Sequence, residues 1–135
     1  MKKLLIILTI VLVTVFLITQ FQETKLKNQY KDFSIINYSL QSKNYKLLVA
    51  DTPEKWKNGL MFFEKLDGVD GMIFIFPDRQ VRSFWNKNTY LSLELIWLDG
   101  STIVGIDKLP SIKKSKEIIS ITSLKPVDKV VELVR

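Results

Sequence analysis

The chain has 135 residues, of which 47% are hydrophobic, and its 20 Lys+Arg against 14 Asp+Glu give a formal net charge of +6. It contains neither Cys nor His. The length fits one modest domain, and the two missing residue types exclude a disulfide framework, a thiol nucleophile, a thiolate zinc site and any mechanism built on histidine.

The hydrophobic excess has a local source at the N-terminus. Lys2 and Lys3 precede an 18-residue run, Leu4 to Phe21, in which 14 residues are apolar. As a helix this run would extend roughly 27 Å, close to the thickness of a bilayer core. A cleaved signal peptide is the alternative, but it needs a small-residue exit such as Ala-x-Ala, whereas this run ends in Thr19-Gln20-Phe21. We therefore interpret residues 1–21 as an uncleaved transmembrane anchor that contacts lipid through residues 4–21.

The charge pattern around the anchor predicts its orientation. Lys2 and Lys3 favour an N-terminus inside the cell, so the domain at residues 33–135 is predicted to lie outside the cytoplasm, in the cell envelope. Residues 22–32 are polar and lysine-rich, which is typical of a stalk. Residues 22–135 carry 18 basic and 14 acidic side chains, a net charge of +4. This charge suits an anionic envelope polymer or lipid headgroup and is too weak to predict nucleic-acid binding.

Beyond the stalk the pattern predicts many short strands and one short helix. The helix begins at Pro53 with Thr52 as its cap and ends at Asn58-Gly59. Asp99-Gly100 is typical of a tight hairpin between two apolar strands. Strands are predicted at residues 33–38, 45–50, 71–76, 81–88, 91–98, 102–106, 118–122 and 129–134. The expected fold class is mainly β, an antiparallel β-sandwich or barrel with one short helix, preceded by the transmembrane helix.

Three segments in this order carry a family resemblance. They are Gly59-Leu60-Met61, then Gly71-Met72-Ile73-Phe74-Ile75-Phe76-Pro77, then Phe84-Trp85-Asn86-Lys87-Asn88-Thr89 running into residues 91–99. Together they resemble the uncharacterised prokaryotic family known as domain of unknown function 192, over roughly Tyr45 to Leu133. The resemblance implies a compact, mostly β fold and no established reaction. It also agrees with the anchor, since many members are exported or begin with a hydrophobic segment.

The sequence departs from that family at several positions. The family usually has Met at Asn86, Arg at Asn58 and Pro-Leu-Asp where this chain has Ser92-Leu93-Glu94. Most members also continue beyond the strand that matches Val130 to Leu133, with a glycine-containing extension, whereas this chain stops at Arg135. Any site built partly from that extension is expected to be altered here.

The central motif supplies most of the candidate ligand-binding residues. Strand alternation places Trp85 and Lys87 on one face, and Asn88 and Thr89 follow where the chain turns. A Lys donor, an Asn amide and a Trp ring suit a polar, ring-containing ligand. The structural alternative is that Trp85 packs, Lys87 extends along the surface, and Asn88 and Thr89 stabilise a turn.

Glu94 is the fifth candidate, because it interrupts a strand otherwise rich in Leu, Ile and Trp. An ion pair with Lys87 is expected if their two strands are neighbours, and such a pair marks either a site or a structural constraint. Acidic residues also flank the strand that begins at Gly71, but their spacing matches no calcium loop, so neither a metal nor a cofactor is predicted.

These observations favour a non-enzymatic binding or interaction module of the cell envelope. The absence of His and Cys and of any nucleophile–base pair supports this hypothesis over catalysis. One alternative is an enzyme acting on an envelope glycan or peptide, with Glu94 as acid or base and Lys87 and Asn88 as electrostatic stabilisers. The other is an accessory subunit that packs on a second membrane protein.

Overall fold

The computed structural model describes residues 1–135, apart from the side chains of residues 27 and 28, as two compact units, Met1–Asp32 and Phe33–Arg135. The first unit contains helix α1 (Lys2–Gln29), which continues through most of the segment interpreted as a stalk. Its stretch Lys2–Leu26 contains an 18-residue window with a mean hydropathy of 2.8 and is long and apolar enough to cross a membrane, a property that a signal sequence shares. Thr9 and Thr19 donate their hydroxyls to backbone carbonyls four residues earlier, which explains how this helix accommodates them.

The second unit is mainly β, as predicted. Its strands form a six-stranded sheet in the order β1-β2-β3-β8-β5-β6 and a two-stranded ribbon of β4 and β7. The elements in chain order are β1 (Ile35–Leu40), β2 (Lys43–Ala50), α2 (Pro53–Asn58), β3 (Gly71–Gln80), β4 (Ser83–Trp85), β5 (Leu93–Asp99), β6 (Thr102–Leu109), α3 (Ile112–Ser115), β7 (Ser120–Thr122) and β8 (Val127–Val134).

The predicted antiparallel sandwich or barrel is not confirmed, because the sheet is mixed and does not close. Strands β2 and β3 run parallel, while the other neighbouring pairs of the six-stranded sheet are antiparallel. The parallel pair arises because residues 51–70, including α2, carry the chain back to the same end of the sheet before β3 begins. The edges of the sheet are β1 and β6.

Local chemistry explains helix α2, which has the predicted bounds. Thr52 accepts a hydrogen bond from the Lys55 amide at 3.4 Å, and Pro53 occupies the first helical position. Gly59 ends the helix with φ 48°, a backbone conformation that favours glycine. The Trp56 indole N–H then donates to the carbonyls of Ala50 at 3.0 Å and Ile75 at 3.1 Å, which anchors the helix to β2 and β3.

Several strand bounds differ from prediction. Strand β3 passes Pro77 and ends at Gln80, and Pro77 is tolerated because the pairing with β8 is interrupted between Ile75 and Gln80. The strand predicted at residues 81–88 shortens to β4, because Asn86 begins a tight turn in which the Thr89 amide donates to its carbonyl at 3.0 Å. The single turn of helix α3 was not predicted.

The six-stranded sheet has two different faces. On one face, side chains from the two edge strands pack against a single buried cluster, formed by Leu40, Leu47, Val49, Ile73, Ile96, Leu98, Val131 and Leu133. The opposite face, here called the ribbon face, carries Phe74 and Trp97 and is covered in part by the β4–β7 ribbon. The Phe84 ring of β4 lies 4.8 Å from the Phe74 ring and 5.5 Å from the Trp97 ring. Both contacts are edge-on, a favourable arrangement for aromatic pairs.

Candidate functional site

A cleft of about 430 Å³ opens on the ribbon face between α2, the turn after it, the ribbon and the sheet. Its walls are mainly aromatic, formed by Trp56, Phe74, Phe76, Phe84 and Trp85. Its polar side chains are Lys57, Asn58, Arg82, Ser83, Thr89 and Glu132. An apolar concave surface with a few convergent polar groups is the usual form of a small-molecule site.

Glu132 lies at the floor of this cleft on β8, a strand that is paired on both sides. Its register partners are Met72 on β3 and Leu95 on β5, both fully buried, so the sheet supplies no polar side chain opposite it. The residue is 4% exposed, and its Oε2 atom has no hydrogen-bond partner. Burial raises the pKa of this carboxyl to about 8. Glu132 is therefore a neutral carboxylic acid at neutral pH, able to donate one hydrogen bond and accept others.

Two glycines allow this placement of Glu132. A Cβ on Gly71 would lie 1.8 Å from the Glu132 carbonyl oxygen, so only glycine lets β8 lie this close to the start of β3. A Cβ on Gly59 would lie 3.9 Å from Glu132 Oε2 and 3.1 Å from the Phe74 ring. Gly59 thus lets the end of α2 lie close to the Phe74 ring beside this carboxyl.

The aromatic walls are held by contacts with one another. The Trp56 and Phe76 rings lie 5.2 Å apart, and the Phe74 ring stacks on Phe76 at 6.5 Å. Trp85 differs, because 45% of its surface is exposed. It therefore gives the cleft a wall that is accessible from solvent.

Arg82 supplies a fixed positive charge beside the aromatic wall. Its guanidinium carbon lies 3.9 Å from the centre of the Phe76 ring, a close cation–π contact. The same guanidinium donates to the backbone carbonyl of Asp78 at 3.2 Å and forms an ion pair with the Asp78 carboxylate. Its Nε atom is buried and has no partner. Asp78 therefore orients the Arg82 guanidinium, and the Nε–H group of Arg82 remains without an acceptor.

The sequence-predicted residues fall partly around this cleft. Trp85 and Thr89 line it, and the Lys87 ammonium lies 5.1 Å from the Trp85 ring, so Lys87 contacts the outer wall. Thr89 is buried and donates its hydroxyl to the Lys87 carbonyl at 3.2 Å, in the turn-stabilising role that was the structural alternative.

Asn88 acts on the cleft through its backbone. It has φ 54°, and its carbonyl accepts a hydrogen bond at 2.9 Å from the amide of Phe62, which has φ 66°. Two non-glycine residues in the left-handed region thus hold the turn after α2 against the turn after β4. This contact fixes the end of the cleft formed by Met61 and Thr89.

Glu94 lies away from the cleft, on the opposite face of the sheet. Its register partner on β8 is Leu133, which belongs to the buried cluster. The Arg135 guanidinium lies 2.6 Å from its carboxylate, and this hydrogen bond lowers the pKa of Glu94 in spite of partial burial. Glu94 therefore pairs with Arg135, and the expected pair with Lys87 does not form, because β4 pairs with β7 while β5 lies between β6 and β8.

Asn86 is a buried polar residue with a structural role that sequence reasoning missed. Its side-chain amide donates to the Pro110 carbonyl at 2.9 Å and to the Ser115 hydroxyl at 2.8 Å, and its side-chain oxygen accepts from the Ile119 amide at 2.8 Å. These bonds fasten the segment containing α3 to the end of β4. The methionine usual in the resembling family would make none of them.

Sequence reasoning also missed Glu132, Arg82 and the cleft itself. The sequence feature that could have identified Glu132 is its position between two apolar residues, Val131 and Leu133, in the last predicted strand. Among the described side chains, no group of three or more acidic residues is arranged to hold a metal ion. Asp70, one of the acids that flank β3, instead accepts the Lys46 amide at 2.7 Å.

The comparisons with known proteins agree with this fold. The DUF192 family, described as "Uncharacterized ACR", matches residues 35–135, and the chain belongs to this family. A crystal structure of a protein from Sinorhizobium meliloti 1021, provisionally described as a transcription regulator, is similar with 30% identity and a TM-score of 0.59, covering 76% of this chain and 78% of that one. A protein of unknown function from Novosphingobium aromaticivorans DSM 12444 shares the fold with 21% identity and a TM-score of 0.62, covering 76% of this chain and 73% of that one. None of the curated proteins matches.

Proposed function

We propose that this protein is a non-enzymatic binding module of the cell envelope, anchored in the membrane by residues 1–21, with its β domain outside the cytoplasm. The observation that carries the binding role is the aromatic cleft with the unpartnered carboxyl of Glu132 at its floor. A buried polar atom without a partner costs free energy, and a ligand that bonds to it recovers part of that cost. Such atoms in a concave apolar site therefore favour ligand binding over a purely structural role.

The predicted ligand-binding residues divide into three groups under this proposal. Trp85 and Thr89 line the cleft, so they are candidates for direct contact with the ligand. Lys87 and Asn88 stabilise the wall and the end of the cleft. Glu94 lies on the opposite face of the sheet. We therefore assign the polar contact at the floor of the cleft to Glu132.

The membrane part of the proposal rests on the apolar helix and on the charge at its N-terminus. Lys2 and Lys3 precede a stretch that is long and apolar enough to span, and positive residues favour the cytoplasmic side. A reporter enzyme that works only after export is expected to be active when it is fused after Arg135. Activity of a reporter that works only in the cytoplasm would contradict this topology.

A ligand screen tests the binding role. Ligands that bind only the native state raise the melting temperature of the full chain in detergent. We expect at least one envelope-derived compound to do so, and the shift should disappear in Trp85→Ala and persist in Glu94→Gln, which alters the opposite face. Shifts that are equal in both variants would refute the assignment of the cleft, and a screen without any shift would refute the binding role.

An enzymatic function is the second candidate, and the raised pKa of Glu132 favours it. A carboxyl that stays protonated at neutral pH is suited to act as a general acid. Among the residues that line the cleft, Glu132 is the only carboxylate, so a two-carboxylate mechanism lacks its second group there. Turnover of an envelope glycan or peptide by the wild type, and its loss in Glu132→Gln, would establish this alternative.

A further inference from the structure

We propose that the cleft binds a sugar ring, neutral or anionic, with Glu132 bonded to one of its hydroxyl groups. This inference names the ligand class for the binding role proposed above and rests on it. Three features of the cleft support it: the hydrogen-bonding capacity of Glu132, the positive charges of Lys57 and Arg82, and the exposed ring of Trp85.

The floor of the cleft is complementary to a hydroxyl group. Glu132 has no partner at Oε2, and its neighbours in the sheet, Met72 and Leu95, are apolar. A carboxylic acid in this setting both donates and accepts, and a hydroxyl group does the same. One alcohol can therefore satisfy the buried acid without bringing a charge into an apolar site, where an unpaired charge is costly.

The remaining charges of the cleft disfavour a cation. Besides Glu132, the charged residues that line it are Lys57 and Arg82, both positive. An aromatic cleft can also bind quaternary ammonium groups, but the face of Phe76 is already covered by the Arg82 guanidinium. The free Arg82 Nε would instead accommodate an acceptor, such as a sugar oxygen or a carboxylate. Neutral and anionic ligands thus fit where a cation does not.

The accessible wall suits the flat, weakly polar face of a sugar ring. Trp85 is 45% exposed, while the rings beyond it are packed against one another. A ring stacked on Trp85 buries apolar C–H groups and directs its hydroxyls toward the floor and rim. The cleft volume of about 430 Å³ lies in the range of small-ligand sites and exceeds what one sugar unit fills.

Affinity measurements on the full chain in detergent test this inference with three probes. These are an N-acetylglucosamine trimer (neutral), a galacturonate trimer (anionic) and benzyltrimethylammonium (cationic). Binding is followed by tryptophan fluorescence and by amide NMR shifts at residues of the cleft. We expect at least one glycan to bind and to shift cleft amides, while the cation does not. The two glycan arms distinguish a neutral from an acidic polymer as the source.

Substitutions of Glu132 test the hydroxyl contact itself. Glu132→Leu removes donor and acceptor and should weaken glycan binding about tenfold or more, the value of one buried hydrogen bond. Glu132→Gln keeps both functions and should stay within about threefold at pH 7. Wild-type affinity for the anionic trimer should fall as Glu132 ionises near pH 8, because the carboxylate repels a second negative charge, whereas the affinity of Glu132→Gln should not, since Lys57 and Arg82 are unchanged in both. Glu94→Gln is the matched control and should bind like the wild type.

The possible results separate this inference from the proposed function. Cleft shifts with the cation and none with either glycan would overturn the sugar assignment and leave the binding role standing. Glycan binding with equal affinity in Glu132→Leu would overturn the contact with Glu132. If none of the three probes shifts the cleft amides, and no compound in the screen raises the melting temperature, the binding role is refuted as well.

Discussion

The substitution Glu132→Gln should stabilise the domain by an amount that depends on pH. The pKa of this carboxyl rises from 4.5 in the unfolded chain to about 8 in the fold, because burial disfavours its charged form. At low pH Glu132 is protonated in both the native and the unfolded state, so its ionisation does not contribute to the free energy of unfolding. As pH rises above about 4.5, the unfolded chain releases the proton while the native state keeps it, so the free energy of unfolding falls.

The magnitude follows from the size of the pKa shift. Each pKa unit corresponds to about 1.4 kcal/mol, so the wild type loses about 3 kcal/mol by pH 7 and about 5 kcal/mol above pH 8. Gln has nearly the same shape and does not titrate. The difference in the free energy of unfolding between Glu132→Gln and the wild type should therefore grow by about 2.5 kcal/mol between pH 5 and pH 7.

Urea unfolding followed by tryptophan fluorescence measures this difference. All three Trp residues, Trp56, Trp85 and Trp97, lie within residues 33–135, so the signal reports on the β domain alone. Glu94→Gln is the control with the opposite sign, since Arg135 lowers the pKa of Glu94. A gap between Glu132→Gln and the wild type that stays constant from pH 5 to pH 8 would refute the argument from burial.

Three further substitutions test other parts of the fold. Asn86→Leu leaves several backbone groups without partners and should lower the free energy of unfolding by about 2–4 kcal/mol in urea at pH 7. Trp97→Phe removes the 2.7 Å bond from its indole N–H to Asp107 and should cost about 1–2 kcal/mol, whereas an unchanged urea midpoint would contradict the role of that bond. Glu94→Gln should destabilise at neutral pH, since the pair with Arg135 stabilises above the unfolded pKa, and the loss should vanish as pH falls through the lowered native pKa.

The parts of the fold that sequence predicts best depend on neighbouring residues. The helix from Pro53 to Asn58 follows from the Thr52 cap and the glycine at its end, both within one turn of it. The β5–β6 hairpin likewise follows from its turn, although Gly100 and Ser101 form the connection and the pairing begins at Asp99 and Thr102. In such elements the interactions that set the structure are all local.

The rest depends on contacts between distant segments. The parallel pairing of β2 with β3 requires the crossover through α2, which leaves no local pattern different from that of an antiparallel sheet. The single turn of α3 is held by Asn86, more than twenty residues earlier, and by the Ser111 cap. Neither the crossover nor the contact with Asn86 is visible in the few residues that form the element.

The candidate site shows the same limit. Trp85 and Thr89 were predicted from the central motif and line the cleft, whereas Glu94 was predicted from its apolar strand and lies on the other face. Glu132 lies in the same kind of sequence context as Glu94. Its environment differs, because β8 lies between β3 and β5 and places this carboxyl on the ribbon face. Only the strand order distinguishes an acid that reaches solvent and Arg135 from one that stays buried.

The proposed ligand class depends on a buried, neutral carboxylic acid at the floor of the aromatic cleft. The most direct test is the chemical shift of the Glu132 side-chain carboxyl carbon, followed by NMR from pH 4 to pH 10 and assigned by comparison with Glu132→Gln. We expect a titration midpoint near pH 8, because burial disfavours the charged form and raises the pKa of Glu132 to about 8. A midpoint close to 4.5 would mean that the carboxyl is solvated or paired, and it would contradict both the neutral floor and the ligand class inferred from it.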